Sequence, residues 1–132
     1  MPVERMIELA EGRRSPDRMH FAENQLALPI GKAVEAARAV RHEPCSMRDD
    51  QLVLDAAGDL NICCAAYEKS VKRLGHFLEM TPDDVIKAKK GHPLCGRCAS
   101  HGLHRYFEYM THPVLSKAYE KLALENLSRT KF

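Results

Sequence analysis

The positions of the cysteines constrain this chain more than any other feature of its sequence. Cys95 and Cys98 form a C-x2-C element, which lets one tight turn present two sulfur atoms to one metal centre, and Gly96 relaxes the backbone of that turn. Cys45 and Cys63 come from two other places in the chain. A redox pair needs only two thiols, whereas four thiolates complete a tetrahedral metal site. The spacing therefore predicts a metal centre with four ligands: Cys45, Cys63, Cys95 and Cys98.

Composition and charge favour one folded, soluble domain. The chain has 132 residues and a formal net charge of +2, and its twenty basic residues are spread along the sequence among eighteen acidic ones, which is not the footprint of a nucleic-acid-binding protein. No apolar run approaches the ~20 residues that span a bilayer, and acidic residues interrupt the start of the chain where an export signal would be apolar. We therefore expect a cytoplasmic protein with reduced cysteines and with neither a nucleic-acid nor a membrane partner.

The apolar pattern predicts an α+β fold in which a small β-hairpin precedes a helical C-terminal half, organised around the four-cysteine metal site. The hairpin strands are Leu52–Leu54 and Leu60–Cys64, and Gly58 in the loop between them accepts a positive φ. Because strand side chains alternate, Cys63 and Cys64 point to opposite faces. We expect Cys64 in the core as a small hydrophobe, although a one-residue shift of register would make Cys64 the ligand in place of Cys63.

Helical spacing accounts for most of the remaining sequence. Residues 1–43 are predicted to form an N-terminal helical segment and linker, and residues 44–132 the cysteine-bearing domain with its C-terminal helices. The firmest helix begins after the N-cap Thr81 and ends before Gly91. The other predicted elements are a helix before Gly12, a polar linker at 13–18, a helix at 32–41, a short strand at 74–78, a helix at 103–110 with Met110 on its buried face, and a last helix from Pro113 with Leu115 and Tyr119 inward.

The cysteines lie in an ordered set of motifs that resembles a known family. The order is Pro44-Cys45, then a stretch with Gly58 and Cys63 in C-x12-G-x4-C spacing, then Leu74-Gly75-His76-Phe77-Leu78, and finally His92-Pro93-Leu94-Cys95-Gly96-Arg97-Cys98. This pattern is similar to the auxiliary-cluster domain of radical S-adenosylmethionine enzymes, the SPASM/Twitch group. The similarity covers about half the chain, from Pro44 to roughly Phe107.

The resemblance implies that Cys45, Cys63, Cys95 and Cys98 bind an auxiliary [4Fe–4S] cluster as its cofactor ligands. No cysteine follows Cys98, so the likeness is to the shorter, single-cluster Twitch form. The radical-forming C-x3-C-x2-C motif is absent, and 44 residues before Cys45 are too few for a partial barrel, so we do not expect the chain to be catalytic alone. Leu28–Arg41 resembles the last barrel helix, which makes the chain a split subunit, a degenerate relative or the excised tail of a larger enzyme.

Two functions remain open from the sequence. The resemblance implies an iron–sulfur protein that relays electrons, or docks a peptide or protein substrate, beside a radical S-adenosylmethionine-type enzyme. The alternative is a zinc-stabilised protein-interaction module without a redox role, because Zn²⁺ also accepts four thiolates. His92, His101 and His104 flank the cysteine pair, and we expect them at the surface, with a role as ligand or hydrogen-bond donor as the rival interpretation. Arg97 is expected to donate hydrogen bonds near the cluster or to face a partner.

Overall fold

The computed structural model describes residues 2–13, 28–68 and 70–129, and its fold is α+β, as predicted. In the described residues, no helix has both the length and the apolar content needed to cross a membrane. The elements in chain order are α1 Val3–Ala10, α2 Ile30–Arg38, α3 Ser46–Asp49, β1 Val53–Leu54, β2 Asp59–Asn61, β3 Gly75–His76, α4 Pro82–Lys90, α5 Pro93–Ser100, α6 Leu103–Phe107 and α7 Pro113–Arg129, with short 3₁₀ turns at Phe77–Glu79 and Tyr109–Thr111.

The predicted hairpin is present and is extended by a third strand. Strands β1, β2 and β3 form an antiparallel sheet in that order, with Leu54 opposite Leu60 and Leu60 opposite Gly75. The hairpin loop contains Gly58 at a φ of +85°, as expected. Strand β2 ends at Asn61, however, two residues earlier than Cys63. The alternation argument for Cys63 and Cys64 was therefore wrong, because both residues lie beyond the strand.

The N-terminal helices share a core with the cysteine-bearing part of the chain. Helix α1 buries Val3, Met6 and Ile7 and packs against α5 and α6. Helix α2 runs over Ile30–Arg38, earlier than the predicted range of 32–41, and packs against α6 and α7. Most of the predicted linker at 13–18 lies outside the described residues. The division of the chain at residue 43 stays a prediction.

Helix α4 confirms the prediction made from its two ends. Thr81 is its N-cap, and its hydroxyl accepts a hydrogen bond from the Asp84 amide at 3.2 Å while the Asp84 carboxylate accepts from the Thr81 amide at 2.9 Å. This reciprocal capping box and Pro82 define the start of the helix. Lys89 near its end is buried, with 4% of its surface exposed, although the sequence marked it only as a cation near the negative end of the helix dipole.

The C-x2-C element lies in a helix and not in a turn, which corrects the prediction. His92 is the N-cap of α5, where its Nδ1 accepts a hydrogen bond from the Leu94 amide at 3.2 Å, and Pro93 is the first helical residue. These signals for a helix start were present in the sequence. Gly96 is an interior helical residue with no positive φ, so the backbone freedom assigned to it is not used. The glycine with a left-handed conformation in this region is Gly102, which lies between α5 and α6 at a φ of +70°.

The C-terminal part is helical, as predicted, but α6 is shorter than the helix predicted at 103–110. It ends at Phe107, and Met110 in the following 3₁₀ turn is 78% exposed, so Met110 does not belong to a buried helix face. The prediction for α7 is confirmed, since Leu115 and Tyr119 are 2% and 1% exposed. The Tyr119 hydroxyl donates a hydrogen bond to the Ala33 carbonyl at 2.6 Å and thereby joins α7 to α2.

Candidate metal centre

Cys45 is held in place by residues that follow the C-x2-C pair. It is the N-cap of α3 in an extended conformation. The His104 ring nitrogen Nε2 lies 2.8 Å from the Glu43 carbonyl oxygen, and the Glu108 carboxylate accepts a hydrogen bond from the Met47 amide at 3.0 Å. Glu108 is 8% exposed, so this bond is made in a dry environment where it is strong. The chain on both sides of Cys45 is thus anchored to α6 and to the residue after it.

Cys63 lies in a tight segment that is fixed by a buried asparagine. Asn61 is 5% exposed, its side-chain oxygen accepts from the Ile62 amide at 2.9 Å, and its side-chain nitrogen donates to the Ala66 carbonyl at 2.6 Å. The Ala66 amide in turn donates to the Cys63 carbonyl at 3.3 Å. The side chain of Asn61 replaces the bonds that a longer strand would have made, and it turns the chain so that Cys63 faces inward.

Cys95 and Cys98 lie three residues apart on α5, so their side chains share one face of the helix. Cys95 is in the first turn, where the positive end of the helix dipole favours a thiolate. Arg97 donates hydrogen bonds from Nε and Nη2 to the two carboxylate oxygens of Glu11, at 3.2 and 2.9 Å. Arg97 therefore connects the cysteine helix to the end of α1. We had expected it to donate hydrogen bonds near the cluster or to face a partner.

All four predicted ligands line one small cavity of about 30 Å³. Apolar residues form much of its wall, and Phe107 is one of them. The other residues around it are Val3, Met47, Arg48, Ile62, Ala65, Leu94, Ala99 and His104. Among the described residues, all five cysteines are free thiols. The fold thus brings together thiols from three separated stretches of sequence.

The thiols at the cavity influence one another electrostatically. Burial raises the pKa of Cys98, and thiolates on Cys45, Cys63 and Cys95 would raise it further. Burial, with the negative charge of Cys63 and Cys45, raises the pKa of Cys95 to about 11. Burial raises the pKa of these thiols more than the helix dipole lowers it, so the thiols are protonated at neutral pH in the absence of a metal. Metal binding would displace these protons.

Two cationic side chains lie beside the thiols. The Nζ atom of Lys89 donates hydrogen bonds to two backbone carbonyls, that of Met47 at 3.5 Å and that of Gln51. No carboxylate in the described part of the chain forms an ion pair with Lys89. Burial lowers the pKa of Lys89, and the negative groups that oppose this shift are, in order, Cys63, Cys95, Asp49 and Cys45. Arg48 lines the cavity and pairs with Asp49 at 2.7 Å. A buried ammonium bonded only to neutral carbonyls is costly unless an anionic group lies nearby.

The donor set fits a thiolate-bound metal, but the side chains are not yet arranged as ligands. In residues 2–13, 28–68 and 70–129, no group of three or more Cys, His, Asp or Glu side chains is arranged to hold a metal ion. The cavity of about 30 Å³ can hold a single ion but is small beside a [4Fe–4S] core, which has eight atoms. Metal binding therefore requires the thiols to move closer together, and a cluster requires more rearrangement than an ion.

Cys64 is not a core residue, contrary to the prediction. Cys64 is exposed and does not line the cavity. Its thiol contacts the sulfur of Met47 at 3.7 Å. The sequence also placed His104 at the surface, but it is 2% exposed and lines the cavity. Nothing in the sequence distinguished His104 from the half-buried His92 and His101, or the buried Lys89 from neighbouring lysines, because burial of single polar residues depends on tertiary packing.

Comparisons with protein-family models, with curated proteins and with solved structures found no match for the chain.

Proposed function

We propose that the chain is an iron–sulfur auxiliary protein in which Cys45, Cys63, Cys95 and Cys98 bind one [4Fe–4S] cluster. The observation that carries this proposal is the cavity lined by all four of these cysteines and by none of the others. Thiolate sulfur is the characteristic ligand of iron–sulfur clusters. The order of sequence elements around the cysteines, which resembles the SPASM/Twitch domain, supports the cluster in preference to other thiolate-bound metals.

The charges around the cavity support an anionic centre. Four thiolates on a [4Fe–4S] core, or on a zinc ion, leave a net charge of about −2. Lys89 is buried beside the cysteines without a carboxylate ion-pair partner in the described residues, and Arg48 is on the cavity wall. An anionic centre would neutralise these cations and remove most of the cost of burying the Lys89 ammonium.

A cluster with four cysteine ligands has no free iron position for a substrate, which favours electron transfer over chemistry at the metal. The role that we propose is an electron relay, or a docking module for a peptide or protein substrate, beside a radical S-adenosylmethionine-type enzyme. The C-x3-C-x2-C motif is not in these 132 residues, so in this proposal the radical chemistry itself is performed by that enzyme.

A second function is favoured by the volume of the cavity. At about 30 Å³, it accommodates one ion with less rearrangement than a cluster. A single Zn²⁺ bound by the same four thiolates would stabilise the fold without redox activity, and the chain would then act as a protein-interaction module. The charge of the two centres is similar, so Lys89 does not discriminate between them.

The experiment that separates the two functions is anaerobic purification followed by measurement of iron, sulfide and zinc per chain. About four irons and four sulfides, with visible absorption that bleaches on reduction, would support the cluster. Stoichiometric zinc in a colourless protein would support the interaction module. A protein that binds neither metal after anaerobic reconstitution would contradict both.

A matched pair of variants tests the ligand set. Cys63→Ala and Cys64→Ala change adjacent residues of the same type, but only Cys63 lines the cavity. We expect Cys63→Ala to lose the metal and much of the stability, since metal affinity in a small site is folding free energy. Cys64→Ala should retain the metal of the wild type. Loss of metal in Cys64→Ala alone would show that the ligand of this segment is Cys64.

A further inference from the structure

His104 combines burial, a fixed tautomer and an unpartnered ring nitrogen at the cysteine cavity. The residue is 2% exposed and lines the cavity together with the four cysteines. It is the second residue of α6, directly after the turn that follows the C-x2-C helix. No other histidine lines this cavity among the described residues. Its position therefore differs from that of the nearby His92, which caps a helix, and His101, whose side chain is 20% exposed.

The hydrogen bond to Glu43 determines which ring nitrogen of His104 carries the proton. A backbone carbonyl oxygen only accepts, so Nε2, at 2.8 Å from the Glu43 oxygen, must donate. The form of the ring that can bind a metal through Nδ1 is the neutral one, in which only Nε2 carries a proton. In a neutral ring with the proton on Nε2, the Nδ1 atom carries a lone pair.

That lone pair has no partner among the residues that the structure describes. Nδ1 is buried and makes no hydrogen bond within the described part of the chain. Leaving a buried acceptor unsatisfied costs about 1–3 kcal/mol, and native proteins rarely tolerate it without a reason. Histidines that bind metals characteristically donate the opposite ring N–H to a backbone carbonyl or carboxylate, which fixes the ring and directs the free nitrogen at the metal. His104 shares two features of this arrangement: Nε2 donates to the Glu43 carbonyl, and Nδ1 is left free on a residue that lines the cavity.

We propose that His104 is a ligand of the metal centre through Nδ1, in place of one of the four cysteine thiolates. This inference rests on the proposed metal centre and revises its ligand set. Since a tetrahedral ion, or a [4Fe–4S] cluster, takes four protein ligands, one of the four cysteines would then be left unbound. Histidine in place of a thiolate also makes the centre less negative and raises the reduction potential of an iron–sulfur cluster.

The test uses Co²⁺ as a spectroscopic probe of the full-length, metal-free protein. The wild type is compared with His104→Gln, whose side-chain amide can still donate to the Glu43 carbonyl, and with His101→Gln as the matched control. We expect wild-type protein to give the visible bands of tetrahedral cobalt with thiolate and nitrogen ligands. His104→Gln should shift these bands and bind Co²⁺ at least about tenfold more weakly, while His101→Gln should match the wild type.

A second measurement does not depend on a variant that folds. Protein labelled with ¹⁵N only in histidine is loaded with iron and sulfide, reduced, and studied by pulsed electron paramagnetic resonance. Strong ¹⁵N coupling supports a bound histidine. If the wild type binds metal but His104→Gln has the same cobalt spectrum and affinity, or no such coupling is seen, the assignment of His104 is wrong and the cysteine centre stands. If the wild type binds neither Co²⁺ nor a cluster, the metal centre itself is wrong.

Discussion

Replacing Gly102 by alanine should destabilise the protein strongly, because this glycine joins the cysteine helix α5 to α6 at a point of close backbone contact. Its φ is +70°, a left-handed conformation that an alanine adopts only with strain. A Cβ at this position would lie 2.6 Å from the Ala37 carbonyl oxygen and 2.8 Å from the Arg38 Cα. Both contacts are with the backbone of α2, which cannot give way as the end of a flexible side chain would.

The magnitude follows from two costs and one gain. The left-handed conformation costs alanine roughly 1–2 kcal/mol, and insertion of a methyl group against packed backbone costs roughly 1–3 kcal/mol. Alanine regains about 0.5–1 kcal/mol because it restricts the unfolded chain. We therefore expect Gly102→Ala to lower the free energy of unfolding by about 3 kcal/mol, which corresponds to a fall in Tm on the order of 10 °C.

Urea unfolding of the metal-free protein, followed by circular dichroism, measures this loss. Gly96→Ala is the matched control, because Gly96 lies inside α5 with no positive φ and nothing within 4 Å of an added Cβ. That control should stabilise the protein by up to about 1 kcal/mol through helix propensity. The reasoning is refuted if Gly102→Ala is as stable as the wild type, or if the two variants lose the same stability.

Four further predictions concern the core and the site. Tyr119→Phe removes the hydrogen bond to Ala33, and urea unfolding should report a loss of about 1 kcal/mol; an unchanged midpoint would contradict this. In metal-free protein at pH 8, iodoacetamide should modify the exposed Cys64 first and Cys98 last, because Cys98 is half-buried and its pKa is raised; peptide mass spectrometry measures the order, and equal rates would contradict it. Because only the thiolate reacts, alkylation of Cys95 should rise about tenfold per pH unit until the pH nears its pKa of about 11, and a plateau near pH 8 would argue against that pKa. Lys89→Met should leave the metal-free protein as stable or more stable, since it removes a buried charge, yet weaken metal binding in a competition assay; equal affinity would show that Lys89 does not balance the centre.

The elements whose signals are local could be predicted from the sequence. The helix after Thr81 is specified by its capping box and proline, and the hairpin by Gly58 between two apolar runs. The paired cysteines at 95 and 98 and the two upstream cysteines could be named because side-chain chemistry and spacing are visible in a single chain. The helix of the C-x2-C element was missed although His92 and Pro93 marked its start.

The environment of each side chain depended on tertiary structure. The sequence determined which residues have the chemistry to bind a metal, since thiols and imidazoles are fixed by residue type alone. Packing of α6 against the segment around Cys45 determined that His104 is buried with one free nitrogen, and the early end of β2 determined that Cys63 faces the cavity while Cys64 is exposed. Burial and the direction of a side chain arise from contacts between residues about sixty positions apart, and such contacts leave no periodic pattern in the sequence.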